Sequence, residues 1–182
     1  KTQNRTYLYN IKTKEKKLIK EQIIPSGHEP NDYIVERLEC PSHDGRVVPI
    51  TITRHKNTPI DGSAELLLYG YGSYGHSMSP TFSSTRLSLI KRNIIWATAH
   101  IRGGMERGMK WWKEGKLLNK KNTFKDYIAC AKFLIEKKYT SKKKIIGMGG
   151  SAGGLLMGVV VNEEPDLFLG VIMAVPFVDS LT

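Results

Sequence analysis

The apolar run Lys144 to Met148 passes without a break into Gly149-Gly150-Ser151-Ala152-Gly153-Gly154, and Leu155 to Val161 beyond it is again apolar. This join constrains the fold more than any other stretch. A strand that meets a helix through a cluster of glycines must turn sharply, because small residues let the helix start pass close to the strand end. A serine at the centre of such a turn sits in strained dihedrals with its hydroxyl lifted clear of the sheet. The helix that follows offers free N–H groups and the positive end of its dipole. The spacing Gly149-x-Ser151-x-Gly153 fits the nucleophile-elbow pattern. It makes Ser151 the expected attacking residue and the Ala152 N–H an expected donor to a developing oxyanion. The competing reading is a glycine-rich phosphate-binding turn with an incidental serine. No Lys follows the glycines as that would need, and no GxGxxG frame fits with Ser151 inside it.

The rest of the chain supplies a sheet for the turn to stand on. Tyr7 to Asn10 and Lys17 to Ile19 read as a short hairpin, and the breakers Pro25-Ser26-Gly27 and Pro30-Asn31-Asp32 follow as a linker. Tyr33 to Leu38 and Val47 to Thr53 flank the turn signal His43-Asp44-Gly45 as an antiparallel pair. Apolar strands then alternate with helices: strand Glu65 to Tyr69, helix Ser84 to Lys91, strand Asn93 to Ala99. Next comes an amphipathic helix whose Phe124, Tyr127, Ile128, Ala131, Leu134 and Ile135 share one face, capped by Asn122 or Thr123. Leu169 to Val175 reads as a further buried strand. Such a pattern predicts an α/β fold, a doubly wound and mostly parallel sheet covered on both faces.

The formal charge of +11 raises the question of nucleic acid. The lysines lie in scattered groups at element ends, without the interleaved aromatics of a nucleic-acid module, so a solvated face is expected and no nucleic-acid partner. Cys40 and Cys130 are too few and too far apart for a disulfide scaffold or a zinc site, and are read as buried thiols in a reducing compartment, the cytoplasm. No apolar run is long enough to span a membrane, and none is expected as a partner.

A second motif follows the strand Glu65 to Leu68: Tyr69-Gly70-Tyr71-Gly72-Ser73-Tyr74-Gly75. Together with Ala99-His100-Ile101-Arg102-Gly103-Gly104, the string NKKNTFK over 119–125, GGSAGG over 149–154 and Val175-Pro176-Phe177-Val178-Asp179, it resembles the prolyl oligopeptidase family of serine peptidases, and within it the oligopeptidase B branch. The likeness runs over nearly the whole chain. It implies an α/β-hydrolase fold incomplete at its C-terminal end, with residues 31–182 as the first part of a peptidase domain. Residues 1–30 then resemble the tail of the last blade of a β-propeller, plus a linker. It implies Ser151 as nucleophile, the Tyr71 hydroxyl and the Ala152 N–H as oxyanion donors, and Tyr74 near the pocket for the residue before the scissile bond. The implied substrate is a short peptide cut after Arg or Lys, and no cofactor or metal is called for. Met105 departs from the pattern, standing where the family usually has a third glycine after Arg102-Gly103-Gly104.

In this fold the acid and the histidine of a triad follow the serine. All five histidines, His28, His43, His55, His76 and His100, precede Ser151, so none matches the family base. His76 and His100 are read as packed or exposed side chains, and Asp126 and Asp166 as helix-surface or turn carboxylates. Asp179 comes too soon after Ser151 to match the family acid. The expected partners are therefore the remainder of the same domain and the propeller, and the chain alone is expected to turn over little substrate. An inactive remnant, or an esterase or acylaminoacyl-peptidase on the same fold, are the alternatives.

Overall fold

The computed structural model describes residues 2–79 and 81–179. Lys1 and residues 180–182, which the expected domain limits include, lie outside them. Two sheets form. Strands β1 (Arg5–Tyr9) and β2 (Lys16–Glu21) pair antiparallel as a separate two-stranded hairpin whose residues are almost all exposed. The main sheet contains β3 (Tyr33–Pro41), β4 (Val47–His55), β5 (Leu66–Tyr69), β6 (Ile95–Ala99), β7 (Ile145–Gly150) and β8 (Phe168–Ala174), in the spatial order β3-β4-β6-β5-β7-β8. β3, β4 and β6 join antiparallel, whereas β6, β5, β7 and β8 run parallel.

β5, β6 and β7 read as unbroken apolar runs because both of their faces are covered. Along β5 the side chains alternate. Leu66 and Leu68 join the core under helices α3 (Lys121–Glu136) and α4 (Ala152–Glu163), while Leu67 joins Tyr33 and Trp96 under α1 (Ser84–Ile90) with its Leu87 and Ile90. The stripe on α3 is buried as its spacing predicts: Tyr127, Ala131 and Leu134 are inaccessible, and Phe124 and Ile128 nearly so. The Tyr127 hydroxyl donates to Leu68 O at 2.6 Å, anchoring helix to sheet. A short helix, α2 (Met109–Lys113), was not evident in the sequence pattern. Among the described residues, no helix is long and apolar enough to cross a membrane.

Three expectations need correcting. Neither Asn122 nor Thr123 caps α3; the cap position is Lys120, without a side-chain cap bond. Thr123 Oγ1 instead donates to Arg102 O and Gly115 O, and Asn122 Nδ2 to Glu114 O, because both residues lie inside the first turn and face neighbouring loops. Asp126 is not a surface carboxylate but fully buried, accepting from the Arg102 backbone N–H, Nε and Nη2 and from Ser42 Oγ. Its place on the buried face of α3 is tolerated because Arg102 neutralises it. β8 is also mostly exposed rather than buried, since no strand lies on its far side among the described residues. Asp166, by contrast, is an exposed turn carboxylate paired with Lys143 at 3.4 Å.

Candidate active site

β7 ends at Gly150 and α4 begins at Ala152, so a single residue, Ser151, makes the turn. Its backbone stands at φ 53° and ψ −116°, a conformation that L-residues occupy only when the surroundings impose it. Those surroundings are specific. Ser151 N donates to Ala174 O at 2.9 Å, and Ser151 O accepts from Gly154 N at 2.8 Å and Phe177 N at 3.0 Å. Both flanks of the serine are thereby tied to the end of β8. The side chain is exposed, while Ala152, Gly153 and Gly154 are buried against their neighbours. A Cβ on Gly149 would collide with Gly153 O, and one on Gly154 would meet Pro176 Cβ at 2.6 Å. The glycine spacing is thus a steric requirement of the turn.

Because β5 and β7 are parallel neighbours in the register Tyr69↔Met148, the tyrosine loop leaves β5 at the same sheet edge where Ser151 leaves β7. Gly70 N donates to Met148 O at 3.0 Å and continues that pairing. The loop then crosses the N-terminus of α4: a Cβ on Gly153 would lie 2.9 Å from Gly70 O and 3.4 Å from Tyr71 Cδ2. The Tyr71 ring, half-buried, therefore packs on the first turn of the helix that Ala152 opens. His76 stands edge-on to it with centroids 5.5 Å apart. Tyr74 is 77% exposed and has φ 56°, so its ring is presented to solvent. Tyr69, Tyr71, Tyr74, Gly75 and His76 line an open cleft here. A better enclosed cavity lies on the α1 face, among Tyr33, Arg86 and Trp96, and includes none of these residues.

Under the loop is a buried polar layer. His100 is inaccessible, with Nε2 2.8 Å from Thr51 Oγ1 and Nδ1 3.5 Å from Glu106 Oε1. It is a packed histidine, as expected. Burial pushes the Glu106 carboxyl up, but hydrogen bonds from His100 and from Met78 N outweigh it and leave the pKa lowered. Arg102, also inaccessible, bridges Asp126 and Asp44, the latter at 2.6 Å. Burial disfavours its charge, yet the two carboxylates raise its pKa overall. The Arg102-Gly103-Gly104 loop backs onto the tyrosine loop. Gly103 has φ 97°, a Cβ there would strike Gly72 O, and Gly75 N donates to Gly103 O at 2.9 Å. Met105 does not take a positive φ, so its position tolerates a side chain, which packs against Gly75.

The structure thus gathers Ser151, Ala152, Tyr71 and Tyr74 at one end of the sheet, and keeps His100 and Asp126 in the layer below. Sequence reasoning missed Lys120. It is a partly buried lysine in a chain whose lysines read as solvated, and its Nζ donates to Gly72 O at 2.6 Å and Ser73 Oγ at 2.7 Å. Its location inside the string NKKNTFK was the available signal.

This geometry has close counterparts. Dipeptidyl aminopeptidase BI of Pseudoxanthomonas mexicana is 46% identical over 178 residues, 97% of this chain and 24% of that protein. Protease 2 of Moraxella lacunata is 41% identical over 181 residues, 100% of this chain and 26% of that protein. Oligopeptidase B from Leishmania major superposes with a TM-score of 0.90 at 41% identity, covering 98% of this chain and 25% of that one. The chain therefore spans about a quarter of the length of these relatives. The family model for prolyl oligopeptidases matches residues 80–182. With its strained serine turn and its tyrosine loop at one sheet edge, the chain belongs to the prolyl oligopeptidase family.

Proposed function

We propose that this chain is the nucleophile-bearing part of a serine peptidase, with Ser151 as the attacking residue. The observation that carries the reading is the exposed Ser151 side chain at φ 53°, at the start of α4, on whose first turn the Tyr71 ring packs. In this reading Ser151 Oγ attacks the carbonyl carbon of a scissile peptide bond. Its proton passes to a histidine supplied from outside this chain, and the negative charge forms on the carbonyl oxygen. The Tyr71 hydroxyl and the Ala152 N–H donate to that oxygen. Collapse of the tetrahedral species breaks the C–N bond as that histidine returns the proton to the leaving amine. Water, giving its proton to the same histidine, then attacks the acyl carbon, and Ser151 Oγ leaves with that proton, releasing the carboxylic acid. Tyr74 offers an apolar wall for the residue before the cut bond.

Residues 31–182 are read as the first part of the peptidase domain, and residues 1–30 as the end of a propeller blade with its linker. The acid and histidine of the triad are assigned to the remainder of a longer polypeptide. Cleavage after Arg or Lys rests on the likeness to oligopeptidase B. The 46% identical relative is named for removing dipeptides, which favours a second reading, release of dipeptides from a free N-terminus.

Labelling of the full-length polypeptide with a fluorophosphonate, followed by peptide mass mapping, tests the nucleophile. An adduct on Ser151, lost in Ser151→Ala, is expected, and labelling elsewhere with full activity in Ser151→Ala would overturn the reading. An N-blocked arginyl anilide and a free-amine dipeptidyl anilide separate the two specificities.

A further inference from the structure

Lys120 stands at the head of α3 with its side chain turned beneath the tyrosine loop, and both of its hydrogen bonds go to the residues that follow Tyr71: Gly72 O and Ser73 Oγ. Its other close neighbour is the Phe124 ring, with Nζ 5.8 Å from the centroid. No carboxylate pairs with it among the described residues. An ammonium so placed costs stability relative to an apolar side chain of the same length. An ammonium held here without a counter-charge among the described residues calls for an account other than packing.

The loop supplies one. Gly72, Tyr74 and Gly75 all take positive φ, of 66°, 56° and 67°; the glycines do so freely, but Tyr74 holds this conformation only when its surroundings impose it. Gly70 is fixed by Met148 O, and Gly75 by Gly103 O. Between these two anchors Lys120 holds the Gly72 carbonyl and the Ser73 hydroxyl. A Cβ on Gly72 would collide with Thr123, one turn along the same helix, so the loop rests directly on the start of α3.

We propose that Lys120 is a positioning residue, whose ammonium clamps the Gly72 carbonyl and the Ser73 hydroxyl and so sets where the Tyr71 hydroxyl and the Tyr74 ring stand relative to Ser151. The proposal rests on the reading of Ser151 and Tyr71 given above. A misplaced oxyanion donor weakens contacts made only in the transition state, so the effect belongs in kcat rather than KM.

The test uses the full-length polypeptide carrying Lys120→Met and Lys120→Arg, assayed on the N-blocked arginyl anilide, with hydrogen exchange followed over residues 69–76. For Lys120→Met, kcat falls about 30-fold with KM changed less than about threefold, as for a displaced oxyanion donor. Exchange quickens in the tyrosine loop alone, and the melting temperature is equal or higher. Lys120→Arg, which keeps the donors, recovers most of kcat. Unchanged kcat or unchanged loop exchange overturns the proposal. So does a loss of kcat that comes with a lowered melting temperature, exchange spread over the domain and no recovery in Lys120→Arg, since that is the signature of a merely structural role. If Lys120→Met does not fold, Lys120→Gln, which keeps N–H donors but not the charge, is read by the same criteria. Full turnover in Ser151→Ala sinks the nucleophile assignment instead, and the exchange measurement then still decides whether Lys120 holds the loop.

Discussion

Ser151 carries the strain of the turn, and the energy stored there is measurable. A non-glycine residue held at φ 53° and ψ −116° costs about 1–3 kcal/mol, which glycine avoids at the expense of extra freedom in the unfolded chain. Ser151→Gly is therefore expected to raise the unfolding free energy by about 1 kcal/mol while abolishing any chemistry of the hydroxyl, as read by urea titration. Asp126→Asn acts in the opposite direction. It leaves inaccessible Arg102 without its main counter-charge, and an uncompensated buried charge of this kind costs about 3–5 kcal/mol. The same titration should show the loss, and a change below about 1 kcal/mol would mean that Asp44 suffices as partner. Lys120 adds a pH signature. Burial pushes its pKa from 10.5 down to about 8, so between those values the unfolded chain binds more protons than the folded one. The Lys120 contribution to stability therefore increases as pH rises from 8 towards 10.5. The slope of stability against pH in that window should be smaller in Lys120→Met than in the parent.

At the scale of elements, the site depends on close approach between α4, the tyrosine loop and α3. Gly153 lies on the buried side of the first turn of α4, where an added Cβ would come within 2.9 Å of Gly70 O. Gly153→Ala leaves helix propensity improved but forces the loop away, and overpacking of this kind costs about 1–3 kcal/mol. Faster proteolysis or hydrogen exchange across residues 69–76, with α3 and β7 unaffected, is the expected readout. Equal stability and exchange would show that the loop yields freely, contrary to a role in holding Tyr71. The start of α3 is the complementary surface. Lys120 bonds the tyrosine loop, Asn122 and Thr123 both bond the 114–115 segment, and Thr123 also bonds Arg102 O, so this one turn of helix gathers segments that are distant in sequence.

At the scale of the molecule, the hairpin and β8 are exposed among the described residues. The hairpin β1–β2 stands as its own exposed sheet, and a two-stranded hairpin is marginal in water. β8 presents Leu169, Ile172 and Met173, between 43% and 58% exposed, along one edge of the main sheet as its described residues form it. An apolar strand edge of this kind pairs with other chains. As an isolated polypeptide the chain is expected to self-associate, and Ile172→Lys to reduce that association, as read by sedimentation or light scattering. A monomeric parent preparation would contradict this.

The order of the strands and of the helices other than α2, the amphipathic face of α3 and the position of the serine turn were legible in the sequence. Each depends on local periodicity and on glycines whose spacing has one steric explanation. Sequence periodicity could not show the fate of individual polar side chains. Asp126 and Lys120 are charged residues on a helix, a pattern that locally signals a wet surface. Only the packing of α3 under the loops that carry Arg102 and Gly72 turned one into a buried ion pair and the other into a clamp. Likewise the run of strands predicted a parallel sheet. It was the β5–β7 register, a long-range property, that brought the tyrosine loop and Ser151 to the same edge. Local pattern fixes which elements form; burial and register, which depend on residues far apart in the chain, decide which side chains meet.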